Sequence, residues 1–215
     1  MKKNHNRFTF GLGTVGRDMV YTMVSMYLMF YLTDVLQLSD DVLWWVTAII
    51  MAARVFDAFN DPFMGVIVDN THTKYGKFKP WICIGSVLSS IFTVLLFTNF
   101  GLSGGAFIVV FGIIYLLWGI AYTMHDISYW GMVAALSSDA DERNQFTSRA
   151  SLFAGIGGTL ASVLIPMFTT GGMTIGGSAG VAFGRIALVV CILSPLFLCF
   201  TIFGVKERRA VTAEA

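Results

Sequence analysis

Charge is scarce in this chain. Asp, Glu, Lys and Arg make up 13% of its 215 residues and nearly cancel, leaving a formal net charge of +1. Such an even balance offers no basic surface for a polyanion, so nucleic acid is excluded as a partner. Cysteine is scarce too. Cys83, Cys191 and Cys199 each fall in an apolar run, with neither metal-ligand spacing nor a disulfide framework. No glycine-rich loop of the kind that cradles phosphates is present, which removes the basis for an ATP-driven pump. No soluble domain or long linker interrupts the chain. What the chain has in quantity is hydrophobic residues, at 56%, with a mean hydropathy of +0.73. That composition is typical of a polytopic membrane protein. The N-terminus, MKKNHNRF, is basic, but the apolar run behind it is long and contains Arg17 and Asp18. It reads as a retained first helix, not a cleaved signal.

A helix needs about 20 residues to cross the hydrocarbon core. Six stretches qualify, roughly 11–36, 42–68, 80–99, 106–135, 147–170 and 181–204. Turn signals separate them: LSDD at 38–41, GLSGG at 101–105 and TTGGMTIGGSAG at 169–180. Strands of a β-barrel would be shorter and would alternate. The expected fold is therefore all-α, a single six-helix transmembrane bundle over residues 1–215. No internal repeat stands out by eye.

Lys and Arg predict the orientation. Lys2, Lys3 and Arg7, then Lys74, Lys77 and Lys79, then Arg143 and Arg149, then Lys206, Arg208 and Arg209 all fall on one side of a six-span path. The opposite connections have no Lys or Arg, although Arg185 lies near that surface. By the positive-inside rule both termini are cytoplasmic, in a multi-pass protein of the cell membrane.

Polar residues inside the spans predict the site. A carboxylate in hydrocarbon costs at least about 2.5 kcal/mol on insertion scales, so it marks function. Helix 2 carries Arg54, Asp57, Asn60 and Asp61 at spacings of three and four, on one side of the helix. Oxygen-rich groups converging there suit a hard cation such as Na⁺, or a shared proton. The alternative is an Arg54 salt bridge that serves packing alone. Helix 1 carries Arg17, Asp18 and Tyr21. Neighbours in sequence point in different directions on a helix, so Arg17 and Asp18 need not pair. Helix 4 carries Tyr122, Thr123, His125, Asp126 and Trp130. Asp126 and Trp130, four apart, can hold a sugar between a carboxylate and an indole face, with Tyr122 on the same side. An aromatic packing stripe is the alternative. His125 points elsewhere and is equally well a buried neutral histidine.

One further pattern concerns RVFDAFNDPFMGVIVDNTHTKYGKFKPW in helix 2 and the loop after it, GRDMVYTMVSMYLMFYLTDV at 16–35, WGIAYTMHDISYWGMV at 118–133 and DERNQF at 141–146. In these segments the chain resembles the glycoside–pentoside–hexuronide:cation symporters, the family of melibiose permease within the major facilitator superfamily. The resemblance implies a cation site of Asp57, Asn60, Asp61, Thr123 and Asp126, with Asp57 and Asp61 as ligands if the ion is Na⁺ or Li⁺. It implies that Asp18 and Asp126 bind sugar hydroxyls, that Trp130 stacks on the sugar, and that Asp126 serves both ligands. Arg17 stands where melibiose permease has lysine. Arg149 is the one candidate for the family's helix 5 arginine, about two residues out of the implied register. Family members have two six-helix halves, and sites in this architecture lie between the halves near the midplane. The resemblance thus covers an N-terminal half, with the C-terminal half absent.

The expected function follows. The chain is the N-terminal half of a secondary active symporter for a sugar or glycoside, coupled to Na⁺, Li⁺ or H⁺, with no other cofactor. Its partners are the lipid bilayer, the sugar and either the missing half or a second copy. Hexuronide, galactoside and pentoside all remain open. One rival is a non-transporting membrane fragment. The other is an intramembrane aspartyl protease, but those enzymes draw their two aspartates from different helices, within YD and GxGD motifs. Asp57 and Asp61 share one helix, so an enzyme is not expected.

Overall fold

The computed structural model describes residues 2–205, with side chains from residue 6 onward. Lys206, Arg208, Arg209 and the side chains of Lys2 and Lys3, used above for orientation, lie outside the described residues. Six helices follow one another: α1 (Lys2–Phe30), which runs on into a π-helical turn (Tyr31–Val35), α2 (Asp40–Asp69), α3 (Lys79–Leu96), α4 (Gly104–Leu136), α5 (Ala140–Thr169) and α6 (Ala179–Gly204). No strand occurs among the described residues. Helices suit hydrocarbon because every backbone polar group bonds within its own segment. Five of the six are long and apolar enough to span a membrane by length and composition. α1, which carries Arg17 and Asp18, is not among them.

Two helices start well before the apolar runs that announced them, α1 at Lys2 instead of near 11 and α5 at Ala140 instead of near 147. For α5 the reason is capping. The Asp139 carboxylate accepts the backbone N–H of Asp141 at 2.9 Å, and Asp141 and Glu142 add negative charge to the first turn. Hydropathy marks the hydrocarbon, whereas caps mark the helix. α3 in turn stops at Leu96, short of 99. α2 stays helical through Pro62. In the α2–α3 connection Gly76 has φ 106°, in the left-handed region, and closes a tight turn with Thr73.

The packing has an internal symmetry. α1 lies against α5 and α6, α4 lies against α2 and α3, and α3 meets α6. Exchanging α1–α3 for α4–α6 turns each set of contacts into the other. The letters follow the same exchange. Cys83, Ile84, Ser86, Leu88, Phe92 and Thr93 of α3 recur in register as Cys191, Ile192, Ser194, Leu196, Phe200 and Thr201 of α6. At the same spacing Gly11, Asp18 and Tyr21 of α1 recur as Gly119, Asp126 and Tyr129 of α4. Contacts repeat as well. Trp118 Nε1 donates to Thr93 Oγ1 at 2.9 Å, and Thr201 Oγ1 donates to the carbonyl of Phe10, the counterpart of Trp118, at 3.3 Å. This is an inverted repeat of two three-helix units, which did not stand out by eye in the sequence.

Without a hydrophobic drive between helices in lipid, close approach depends on small residues. A Cβ on Gly157 would strike the backbone of Val15, and one on Gly85 would strike the backbone of His125. The buried apolar side chains form two clusters. One is centred on Met23, Tyr31, Phe97 and Phe183, the other on Phe10, Ile82, Tyr129 and Met132. Along α4 they part between Trp118 and Tyr129, the stretch that carries Tyr122, Thr123, His125 and Asp126.

Candidate functional site

α2 and α4 run side by side, and their turns match. A Cβ on Gly119 would lie 3.3 Å from Asp57 Oδ1, and four residues on in each helix Thr123 Oγ1 donates to Asp61 Oδ1 at 3.2 Å. Gly119 thus leaves room for one carboxylate, and Thr123 holds the other. Between them opens a cleft of about 370 Å³ lined by Tyr21 of α1, by Arg54, Asp57, Ala58 and Asp61 of α2, and by Trp118, Gly119, Tyr122, Thr123, Asp126 and Ile127 of α4. Of the five expected cation-site residues, Asp57, Asp61, Thr123 and Asp126 meet here. Asn60 does not line the cleft, and its amide Nδ2 is buried with no hydrogen-bond partner.

Each carboxylate already has a partner. Arg54 approaches Asp57 Oδ2 at 3.7 Å, one turn away on the same helix. Arg17 Nη1 donates to Asp126 Oδ1 at 2.8 Å. The Thr123 hydroxyl serves Asp61. Among the described residues no three acidic, histidine or cysteine side chains come close enough to enclose a metal ion. The donor chemistry, carboxylates and a hydroxyl, nevertheless fits a hard monovalent cation or a proton.

Arg17 differs from expectation. It does pair with its neighbour, its Nε and Nη2 donating to Asp18 Oδ2 at 3.0 and 2.9 Å. Its guanidinium also lies over Trp130, 4.9 Å from the ring centroid, and 5.6 Å from that of Tyr129. A buried arginine needs counter-ions, and its long side chain brings Asp18 and Asp126 within reach. That need was the signal the helical-wheel argument missed. The sugar-site candidates Arg17, Asp18, Asp126 and Trp130 therefore form one network beside the cleft. Tyr122 lines the cleft and continues a ladder of rings, Phe111, Tyr115 and Trp118, with Tyr21 facing it at 5.3 Å.

Arg149 is not among the residues that line the cleft. Its backbone carbonyl lies against Gly11, six residues or about 9 Å along α1 from Arg17. His125 is buried, its backbone against Gly85 of α3 and its ring edge-on to Tyr129. The sequence reading also missed Gly119, whose role is the space it leaves.

The sequence matches the MFS/sugar transport protein family over residues 9–215. The chain belongs to this family. Among curated relatives, the lactose permease of Lactobacillus helveticus is 33% identical over 96% of this chain and 35% of its own length. The raffinose carrier protein of Pediococcus pentosaceus is 33% identical over 96% of this chain and 35% of its own length. The inner membrane symporter YicJ of Escherichia coli is 29% identical over 93% of this chain and 42% of its own length. These relatives are transporters, not enzymes, so the protease alternative has no support. The chain spans between about a third and somewhat under half of each. As a member of the MFS family it supplies the six helices of one bundle, and its inverted three-helix units are the repeat found within such bundles.

Proposed function

We propose that this chain is the N-terminal half of a symporter that moves a sugar or glycoside across the cell membrane with Na⁺, Li⁺ or H⁺. The observation that carries the reading is the cleft between α2 and α4, where Asp57, Asp61 and Asp126 face one another inside an apolar bundle. Asp57, Asp61 and Thr123 are assigned to the cation. Asp18 and Asp126 are assigned to sugar hydroxyls, with Trp130 and Tyr122 packing on the apolar sugar face. Asp126 belongs to both groups, because one of its oxygens faces the network and its side chain also walls the cleft. Coupling between the two ligands must then be reciprocal: each tightens the other by the same factor. Lactose and raffinose, named for the relatives, are the first sugars to try.

The lysines and arginines of the α2–α3 and α4–α5 connections support cytoplasmic termini. The open cleft on one flank of the bundle supports a second six-helix half, or a second copy, as the opposing wall for alternating access. The test is lactose binding to the purified chain with and without Na⁺, and with and without a candidate C-terminal half. Cation-stimulated binding is expected only when the second half is present, and no concentrative uptake is expected from the six helices alone. Cation-independent binding in every combination would refute the symporter reading.

A further inference from the structure

The internal repeat gives Arg17 a role beyond its place beside the sugar-site candidates. Asp18 and Asp126 are equivalent positions of the two three-helix units. Arg17 bonds both, through Nε and Nη2 to one and Nη1 to the other. Its counterpart in the second unit is His125, which bonds neither aspartate and packs edge-on against the Tyr129 ring. The side chain of Arg17 is only 6% exposed, with Trp130 over the guanidinium, and Arg17 is not among the residues lining the cleft. A guanidinium so enclosed leaves little surface for a sugar hydroxyl. It does hold one oxygen of Asp126 and thereby sets how the rest of that carboxylate faces Asp57 and Asp61.

We propose that Arg17 is a positioning residue, which clamps the two symmetry-related aspartates together and couples sugar to cation through Asp126 instead of touching the sugar. The proposal rests on the symporter reading above for its functional half and on the hydrogen-bond geometry alone for the clamp. The planar fork of arginine suits two carboxylates at once. A lysine ammonium between them keeps the charge and part of the geometry, whereas glutamine keeps neither.

Two measurements test it. The first needs no ligand and uses the emission of Trp130 in the chain in lipid nanodiscs, with the other tryptophans replaced by phenylalanine. Arg17→Gln and Asp126→Asn each shift the emission, and the double variant shifts it no further than Arg17→Gln alone, because both break one clamp. Additive shifts, or none, would overturn the clamp even in a protein that transports nothing. The second measures lactose affinity in the complete transporter with and without Na⁺. Arg17→Gln reduces the Na⁺-dependent enhancement about tenfold, a typical coupling factor, and reduces it by a larger factor than it reduces affinity without Na⁺. Arg17→Lys restores the enhancement. Equal loss of lactose affinity in both salts would make Arg17 a sugar ligand and sink the proposal. If the unaltered transporter binds no lactose in either salt, the symporter reading fails, and the clamp stands or falls on Trp130.

Discussion

Asp61→Asn separates the cation role from the fold. Asp61 is exposed to the cleft, and its one hydrogen bond is from the Thr123 hydroxyl at 3.2 Å. An asparagine oxygen accepts the same bond, so the cost to stability is under about 1 kcal/mol. The substitution does remove a formal charge from the site where a cation is to bind. Losing a charge-assisted contact costs about 1.5–3 kcal/mol, equivalent to about one to two decades of affinity. The assay is lactose binding to the complete transporter over a Na⁺ titration. Asp61→Asn shifts the Na⁺ midpoint upward by those one to two decades and leaves lactose affinity without Na⁺ unchanged. Asp57→Asn behaves alike, Asp18→Asn does the reverse, and Asp126→Asn weakens both ligands. The reasoning is refuted if all four variants lose sugar and cation equally, since the aspartates would then serve structure and not separate ligands.

Other expectations concern the scaffold. A Cβ on Gly157 would meet Val15 Cα at 2.9 Å, whereas one on Gly155 meets nothing within 4 Å. Gly157→Ala therefore lowers thermal stability in nanodiscs by about 1–3 kcal/mol, and Gly155→Ala has no overpacking cost. Equal effects would show that α1 and α5 do not meet at that glycine. Thr93→Val leaves the buried Trp118 N–H without its acceptor and costs about 1–3 kcal/mol, most of it recovered by Thr93→Ser; no difference between the two variants would discount the hydrogen bond. A reporter fused after residue 209 is active only as a cytoplasmic marker, and a periplasmic signal there would mean a miscounted span.

How much of this was legible in the letters depended on which force wrote each feature. The spans were legible because hydrocarbon admits few compositions, and the helix 2 carboxylates because their insertion cost makes them conspicuous. Helix starts were not, because Asp139 caps α5 outside the apolar window. Arg17 was misjudged for a related reason. A helical wheel gives the direction of Cβ, but a guanidinium at the end of a long side chain goes where the counter-ions are, even back to its neighbour.

The repeat is the most instructive miss. α3 and α6 kept Cys-Ile-x-Ser and Phe-Thr in register because each packs on the first helix of the opposite unit and on the other of the pair, so both face the same constraints. α2 and α5 also pack on the first helix of the opposite unit but, unlike α3 and α6, not on each other. α2 took on Arg54, Asp57 and Asp61, whereas α5 kept the glycine that meets Val15. A search by eye follows the conspicuous charges, and these lie where the two units have diverged most. Asp18 and Asp126 are a charge present inside the spans of both units, brought to one arginine. An inverted repeat places equivalent residues on opposite sides of a shared axis, so a charge retained in both copies is a candidate for the place where the units meet. By that logic the Asp18–Arg17–Asp126 bridge could have been sought before any coordinates, by asking which charged residue the spans of the two units share.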